Sequence, residues 1–188
     1  MLLLTMAVTG CLSISSQDVT TVDYLDPKTV NTVTHLSAPI VFAREEPSLA
    51  ANVRDYLYAG PVEVNQMGEI RYYLWFGEWS TIDRLPADRD DSSASGNPAE
   101  QLVVWIDEQP NVLSDNRSPT LGRMPYSGPV DSLRSVFFRV SRDQLRQMAV
   151  ATSITVQLQG SAGARRYQLW SGDPATFAMI SDLRATLD

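Results

Sequence analysis

Hydrophobic and polar positions alternate along much of the chain, or apolar residues gather in short blocks bounded by Gly, Pro, Asn or Asp. Both patterns belong to strands, half-buried in the first case and buried on both faces in the second. Residues 32–36 and 39–44 predict a first pair of strands, closed by Glu45-Glu46-Pro47-Ser48, with a short helical turn over 48–52. Residues 54–65 and 70–79 predict a long hairpin around a turn at 66–69. Gly68 supplies the positive φ that such a turn needs. Gly60-Pro61 predicts a bulge or kink in the first arm. Residues 102–107 are a near-continuous apolar run, expected as a central strand, and 134–140 predict another. Residues 111–129 are rich in Pro and Gly and predict an irregular wrap over the surface.

A helical period appears twice. Ser141-Arg142-Asp143-Gln144 has the spacing of a capping box, and Leu145, Met148 and Ala149 share one face behind it. Asp173-Pro174 is an N-cap and first-turn pair, followed at helical spacing by Phe177, Ile180, Leu183 and Leu187. Between them, 153–159 and 165–170 read as strands joined by a turn at 160–163. The expected fold is mainly β (α+β): a twisted antiparallel β-sandwich with one helix inserted between strands and a C-terminal helix. No internal repeat is visible.

Composition narrows the function classes. With 188 residues, 44% hydrophobic and 20% charged, the chain is long and apolar enough for one well-cored domain. A net charge of −7 argues against nucleic acid as a partner and against a polybasic segment gripping anionic lipid. Lys28 is the only lysine and Cys11 the only cysteine, so no disulfide forms within the chain.

That cysteine closes the stretch Val8-Thr9-Gly10-Cys11, directly after the apolar residues 2–7. An aliphatic residue, two small residues and a cysteine in series resembles the bacterial lipobox. No Lys or Arg precedes the apolar run, as one commonly does in a signal peptide. The resemblance implies cleavage between Gly10 and Cys11 and attachment of a diacylglycerol to the Cys11 sulfur. It also implies a second acylation, and two or more acyl chains hold a protein firmly to a bilayer. Leu12 stands where such lipoproteins carry an aspartate when retained in the inner membrane. The resemblance therefore implies the periplasmic face of the outer membrane. The expected organisation is a signal peptide (1–10), a lipidated flexible tether (11–30) and a single β-rich domain (31–188) with an acidic loop at 83–101. The tether reading rests on the polar Ser13, Ser15, Ser16, Gln17, Asp18, Thr20 and Thr21; an edge strand over 19–24 is the alternative.

No catalytic motif stands out. His35 is the only histidine, without His or Cys at metal-ligand spacing. A calcium loop starting at Asp88 would need Gly where Ser93 stands and Glu where Ala99 stands. No metal and no cofactor are expected. Ser127-Gly128 is not part of a nucleophile elbow. Glu63 with Glu78, or Asp107 with Glu108, are the carboxylate pairs a hydrolase would use if the hairpin brought them together. The hairpin aromatics read mainly as core and cross-strand pairs, with Tyr56, Tyr72, Trp75 and Trp79 the candidates to face a ligand. The expected function is a non-enzymatic one, in protein interaction or support of envelope assembly, with the membrane and another envelope protein as partners. A binding module for a small apolar or carbohydrate ligand is the second reading, and a carboxylate- or His35-dependent hydrolase the third.

Overall fold

The long hairpin is the axis of the fold. The computed structural model describes residues 18–45, 53–81, 101–114, 118–129, 133–160 and 163–182. The hairpin arms are β4 (Arg54–Gln66) and β5 (Glu69–Ser80). Gly68 closes them as expected, with φ +95° after Met67 at φ +51°. Asn65 Oδ1 accepts from the Gly68 N–H at 2.8 Å.

The bulge expected at Gly60-Pro61 does not form in this ladder. Pairing runs unbroken from Asp55 opposite Ser80 to Gln66 opposite Glu69. The irregularity lies across the other edge of β4, where β3 (Ile40–Glu45) pairs with its first half and β2 (Thr32–Leu36) with its second. These two strands, expected as a pair, do not pair with each other. His35 lies opposite Val62 and Ile40 opposite Ala59, so residues 36–39 face only Gly60 and Pro61. Pro61 has no N–H to give a ladder, so the break falls where the chemistry has already removed a bond.

The other elements follow in chain order. β1 (Thr21–Leu25) pairs with β2 at the sheet edge, so the edge-strand alternative forms within the stretch expected as tether. β6 (Gln101–Ile106) and β7 (Gln109–Leu113) make a hairpin through Asp107 and Glu108, both at positive φ. The irregular wrap expected from residue 111 therefore begins only after β7. β8 (Arg134–Val140), α1 (Arg142–Ala149), β9 (Ile154–Gly160) and β10 (Gly163–Ser171) come next. A 3₁₀ turn (Pro174–Thr176) leads into α2 (Phe177–Asp182).

Both helix starts are as the sequence predicts. Ser141 Oγ accepts from the Gln144 N–H at 3.1 Å, and Gln144 Oε1 accepts from the Ser141 N–H at 2.8 Å. Asp173 Oδ1 accepts from the Ala175 N–H at 2.9 Å. Leu183 and Leu187 lie outside the described residues.

All ten described strands belong to one antiparallel sheet. Its order is β1-β2-β4-β3-β10-β9-β6-β7, with β5 on the free edge of β4 and β8 beyond β5. This corrects the expectation of two stacked sheets: the sheet is single and open. It curls until β7 and β8 touch without forming a ladder. The curl encloses a first core of Phe42, Leu57, Phe76, Leu102, Val104, Phe138, Val156 and Tyr167, which Leu145 and Met148 of α1 and Phe177 of α2 complete. A second core lies on the opposite face of the hairpin, where Val33, Val62, Tyr73, Trp75 and Phe137 meet Tyr126 and Ile180. The first half of β4 accordingly alternates in burial, while its second half is buried on both faces. Each fully buried large aliphatic or aromatic side chain contributes roughly 1.5–3 kcal/mol to such cores.

Candidate functional site

Three polar groupings interrupt the apolar packing. The first lies on the inner face of the curled sheet. Glu78 stands opposite Leu57 and is buried, although an outward polar residue is the usual expectation for an alternating strand. The Tyr167 hydroxyl donates to Glu78 Oε1 at 2.5 Å. Arg165 Nη2 lies 3.1 Å from Oε1 and donates to Oε2 at 3.2 Å. Burial first, and the Glu78 carboxylate second, push the Tyr167 phenol far above its usual range, so it stays protonated as a donor. Arg44 and Asp55 form a looser pair on the same face, 4.0 Å apart. Glu78, Arg165 and Tyr167 are shielded from water, an arrangement that holds the sheet rather than exposes a reactive group.

The second grouping fills the break between β2 and β4. Tyr126 comes from the irregular segment 118–129, and its hydroxyl accepts from the Leu36 N–H at 3.1 Å and donates to the Pro61 carbonyl at 2.8 Å. It thus replaces ladder bonds that residues 36–39 and Pro61 do not make. Its ring stacks on Trp75 with centroids 5.0 Å apart and lies edge-on to His35 at 5.1 Å. Gly60 is what admits the ring, because a Cβ there would lie 2.3 Å from Tyr126 Cζ. His35 is half-buried between Tyr24 and Tyr126, and its Nδ1 donates to the Leu36 carbonyl at 2.7 Å. Loss of solvation holds its pKa below the ordinary 6.5, against a smaller upward effect of the Leu36 carbonyl.

The third grouping ties this segment to the β1–β2 turn. Asp26 is buried, and its Oδ1 accepts from the N–H groups of Lys28 and Thr29 and from the Thr29 hydroxyl at 2.9–3.0 Å. Its Oδ2 accepts from the N–H groups of Gly122 at 2.6 Å and Arg123 at 3.3 Å. Burial acts to raise the Asp26 pKa, but these donors outweigh it and hold the carboxyl below its usual range. A cavity of about 180 Å³ lies beside this turn, lined by Thr29, Asn31, Val64, Gln66, Arg71 and Tyr73 with Pro119 and Thr120.

Compared with known proteins, the chain matches no family model, no curated protein and no solved structure. The residues themselves must carry the reading. Glu63 stands opposite Tyr72 and Glu78 opposite Leu57, so the expected carboxylate pair is not assembled. Six positions along β4 separate the two, roughly 20 Å at strand rise. Asp107 and Glu108 occupy the β6–β7 turn, where Asp107 Oδ1 accepts from the Ser153 N–H at 2.8 Å. His35 faces the second core while Glu63, paired across from Thr34, faces the opposite side of the sheet.

The candidate ligand-facing aromatics divide as well. Trp75 is fully buried under Tyr126, which removes it from any ligand platform. Tyr56 and Trp79 form a half-buried cross-strand stack with centroids 5.5 Å apart. Tyr72 is half-buried and alternates with Leu74 and Phe76, away from that stack. Gly10 and Cys11 lie outside the described residues, as do residues 83–100 of the expected acidic loop. Among the described residues no three His, Cys, Asp or Glu side chains are placed to hold a metal, and no helix is long and apolar enough to cross a membrane.

Sequence reasoning did not find Tyr126, Tyr167, Arg165 or Asp26. Tyr126 did carry a signal: it is a lone aromatic in a run of Pro, Gly and Ser, where a ring has a role only if something buries it. Asp26 carried the Asp-Pro-Lys-Thr pattern of a side chain capping its own turn.

Proposed function

We propose that the chain is an outer-membrane-anchored bacterial lipoprotein whose periplasmic β-domain serves protein interaction or the support of an envelope assembly. The observation that carries this reading is the series Val8-Thr9-Gly10-Cys11 behind an apolar run. A thiolate is the side-chain nucleophile suited to accept a lipid, and small neighbours give a peptidase access to the backbone. The buried state of Glu78, Tyr167 and Trp75 favours an interaction domain over one that turns over a substrate.

Replacing Cys11 with Ala and fractionating bacterial cells tests the anchor. The wild-type chain is expected in the outer-membrane fraction and the Cys11→Ala chain in the soluble periplasmic or unprocessed pool. Equal membrane association of the two would remove the lipid anchor from the reading.

A further inference from the structure

We propose that the free edge of β1 is a docking site for an extended segment of another protein, which joins the sheet as an antiparallel strand beside β1. This rests on the protein-interaction reading above and names its surface; the lipid anchor plays no part in it. Among the described residues, β1, β7 and β8 each have a partner strand on one side only. β7 and β8 meet each other where the sheet curls. β7 also carries Pro110. The Asp107 N–H donates to the Ser153 carbonyl, so alternation points the Gln109 and Asn111 backbone groups at β6 and turns position 110 outward, where proline has no N–H to offer. β1 has neither guard: no strand faces its open side, and it contains no proline.

The register shows which groups of β1 are open. The Ser37 N–H donates to the Thr20 carbonyl at 2.7 Å at one end, and the Asp26 N–H to the Asn31 carbonyl at 2.8 Å at the other. Unbroken pairing runs between them, from Thr21 opposite Leu36 to Leu25 opposite Thr32. Bonded positions alternate in an antiparallel ladder, so Val22 and Tyr24 turn their N–H and C=O groups to β2. Thr21, Asp23 and Leu25 turn theirs outward in a straight row. The side chains leave that row accessible, with Val22 37% and Leu25 62% exposed. The strand is also ordered before any partner arrives. The Thr20 N–H donates to Ser37 Oγ at 3.0 Å, and the Tyr24 hydroxyl donates to the Arg123 carbonyl at 3.0 Å. Asp26 Oδ1 accepts from the Lys28 and Thr29 N–H groups in the turn that follows. Only the incoming segment therefore loses conformational freedom on binding.

Asp23 selects the occupant. It is exposed, and it is the only charged residue of β1. A second copy pairing antiparallel over the whole strand would place Asp23 directly opposite its own counterpart, and like charges so placed are destabilising. Sliding that pairing by the smallest step that keeps outward groups facing each other leaves either Thr21–Asp23 or Asp23–Leu25 paired and drops the rest of the strand. The chain's own preceding residues enter in line with β1 and not beside it, because Thr20 still bonds to Ser37 of the β2 side. The edge therefore fits a different chain with Lys or Arg opposite Asp23 and a branched apolar residue opposite Leu25 on the same face, and a second apolar residue opposite Val22 on the other face. Main-chain bonds supply the affinity, and these alternating side chains supply the choice of partner.

The test uses the full chain with Cys11→Ser in solution, so failure of the lipid anchor and failure of this site read out separately. The probe is the end-capped peptide Thr-Val-Thr-Lys-Val-Thr-Thr, whose antiparallel register puts Lys opposite Asp23 and its two Val residues opposite Leu25 and Val22. Saturable binding is expected in an NMR titration, with protection from deuterium exchange rising at the Thr21, Asp23 and Leu25 amides and not at Val22 and Tyr24. N-methylation of the peptide Lys and of the residues two away on either side should abolish binding, because those amides face β1. Glu in place of the peptide Lys should bind about fivefold more weakly, and Asp23→Lys should reverse that preference. Thr21→Pro with Leu25→Pro removes two outward N–H groups and no bond to β2, and should weaken binding about tenfold. Asp23→Lys, at an exposed position, keeps the test free of folding effects. Absence of saturable binding at millimolar peptide, protection that rises elsewhere than β1, or an Asp23→Lys chain that keeps the parent's preference would each overturn the proposal. A dimer of the Cys11→Ser chain in analytical ultracentrifugation that the double proline variant abolishes would overturn it in favour of a second copy.

Discussion

The two faces of the β4–β5 hairpin solve the same difficulty with different chemistry. On the inner face a polar group is buried as an ion pair, Glu78 with Arg165, supported by the Tyr167 hydroxyl. On the outer face it is buried as a neutral hydroxyl, Tyr126, bridging an N–H of β2 and a carbonyl of β4. The ion pair joins strands far apart in sequence and depends on full charge compensation. The hydroxyl repairs a local break and depends on space, which Gly60 provides. A buried charge that loses its counter-charge costs more than a neutral backbone group that loses one hydrogen bond. The inner face should therefore be the less forgiving of the two.

That ordering can be broken by mutation. Glu78→Ala takes this partner from the buried Tyr167 hydroxyl and from the largely shielded Arg165, and should lower unfolding free energy by about 3–4 kcal/mol, read by urea denaturation. Tyr126→Phe keeps the ring against Trp75 and leaves the Leu36 N–H and Pro61 carbonyl unbridged, for a loss of about 1–3 kcal/mol in the same assay. If Tyr126→Phe proved the costlier of the two, the contrast between charged and neutral burial would not describe this sheet. Ser141→Ala removes the α1 cap, away from both groupings, and should cost about 1 kcal/mol, which sets the scale for an ordinary local loss.

The smallest expected effect is a pH dependence confined to the outer face. The folded His35 pKa is held below 6.5, chiefly by lost solvation, so the unfolded chain takes up this proton first as pH falls. The stabilisation from neutral His35 is complete above pH 6.5 and is lost as pH drops through the folded-state pKa. Stability of the wild type should decline over that window, and His35→Gln should flatten the decline. An unchanged slope in the variant would place the titrating group elsewhere.

Much of the local structure was legible in advance. The hairpin turn at Gly68, the β8 strand, the capping box at Ser141 and the Asp173-Pro174 helix start each rest on a few neighbouring residues whose preferences agree. The β7 strand was missed because Pro110 and Asn111 read as turn residues, although an edge position tolerates them. The carboxylate pairs were misread for a different reason. Alternation gives the face of a residue but not its register, and register alone separates Glu63 from Glu78.

The sequence by itself determined the strand-rich character, the helix starts and the lipobox-like start, because each is encoded within a few residues of the chain. Only the tertiary structure decided that all described strands join one curled sheet, and that Glu78 lies inside it. The same holds for Tyr126 closing the gap at Pro61. These facts depend on contacts between segments tens of residues apart, where pairing and burial are chosen by the whole fold and no local preference of the chain records the choice.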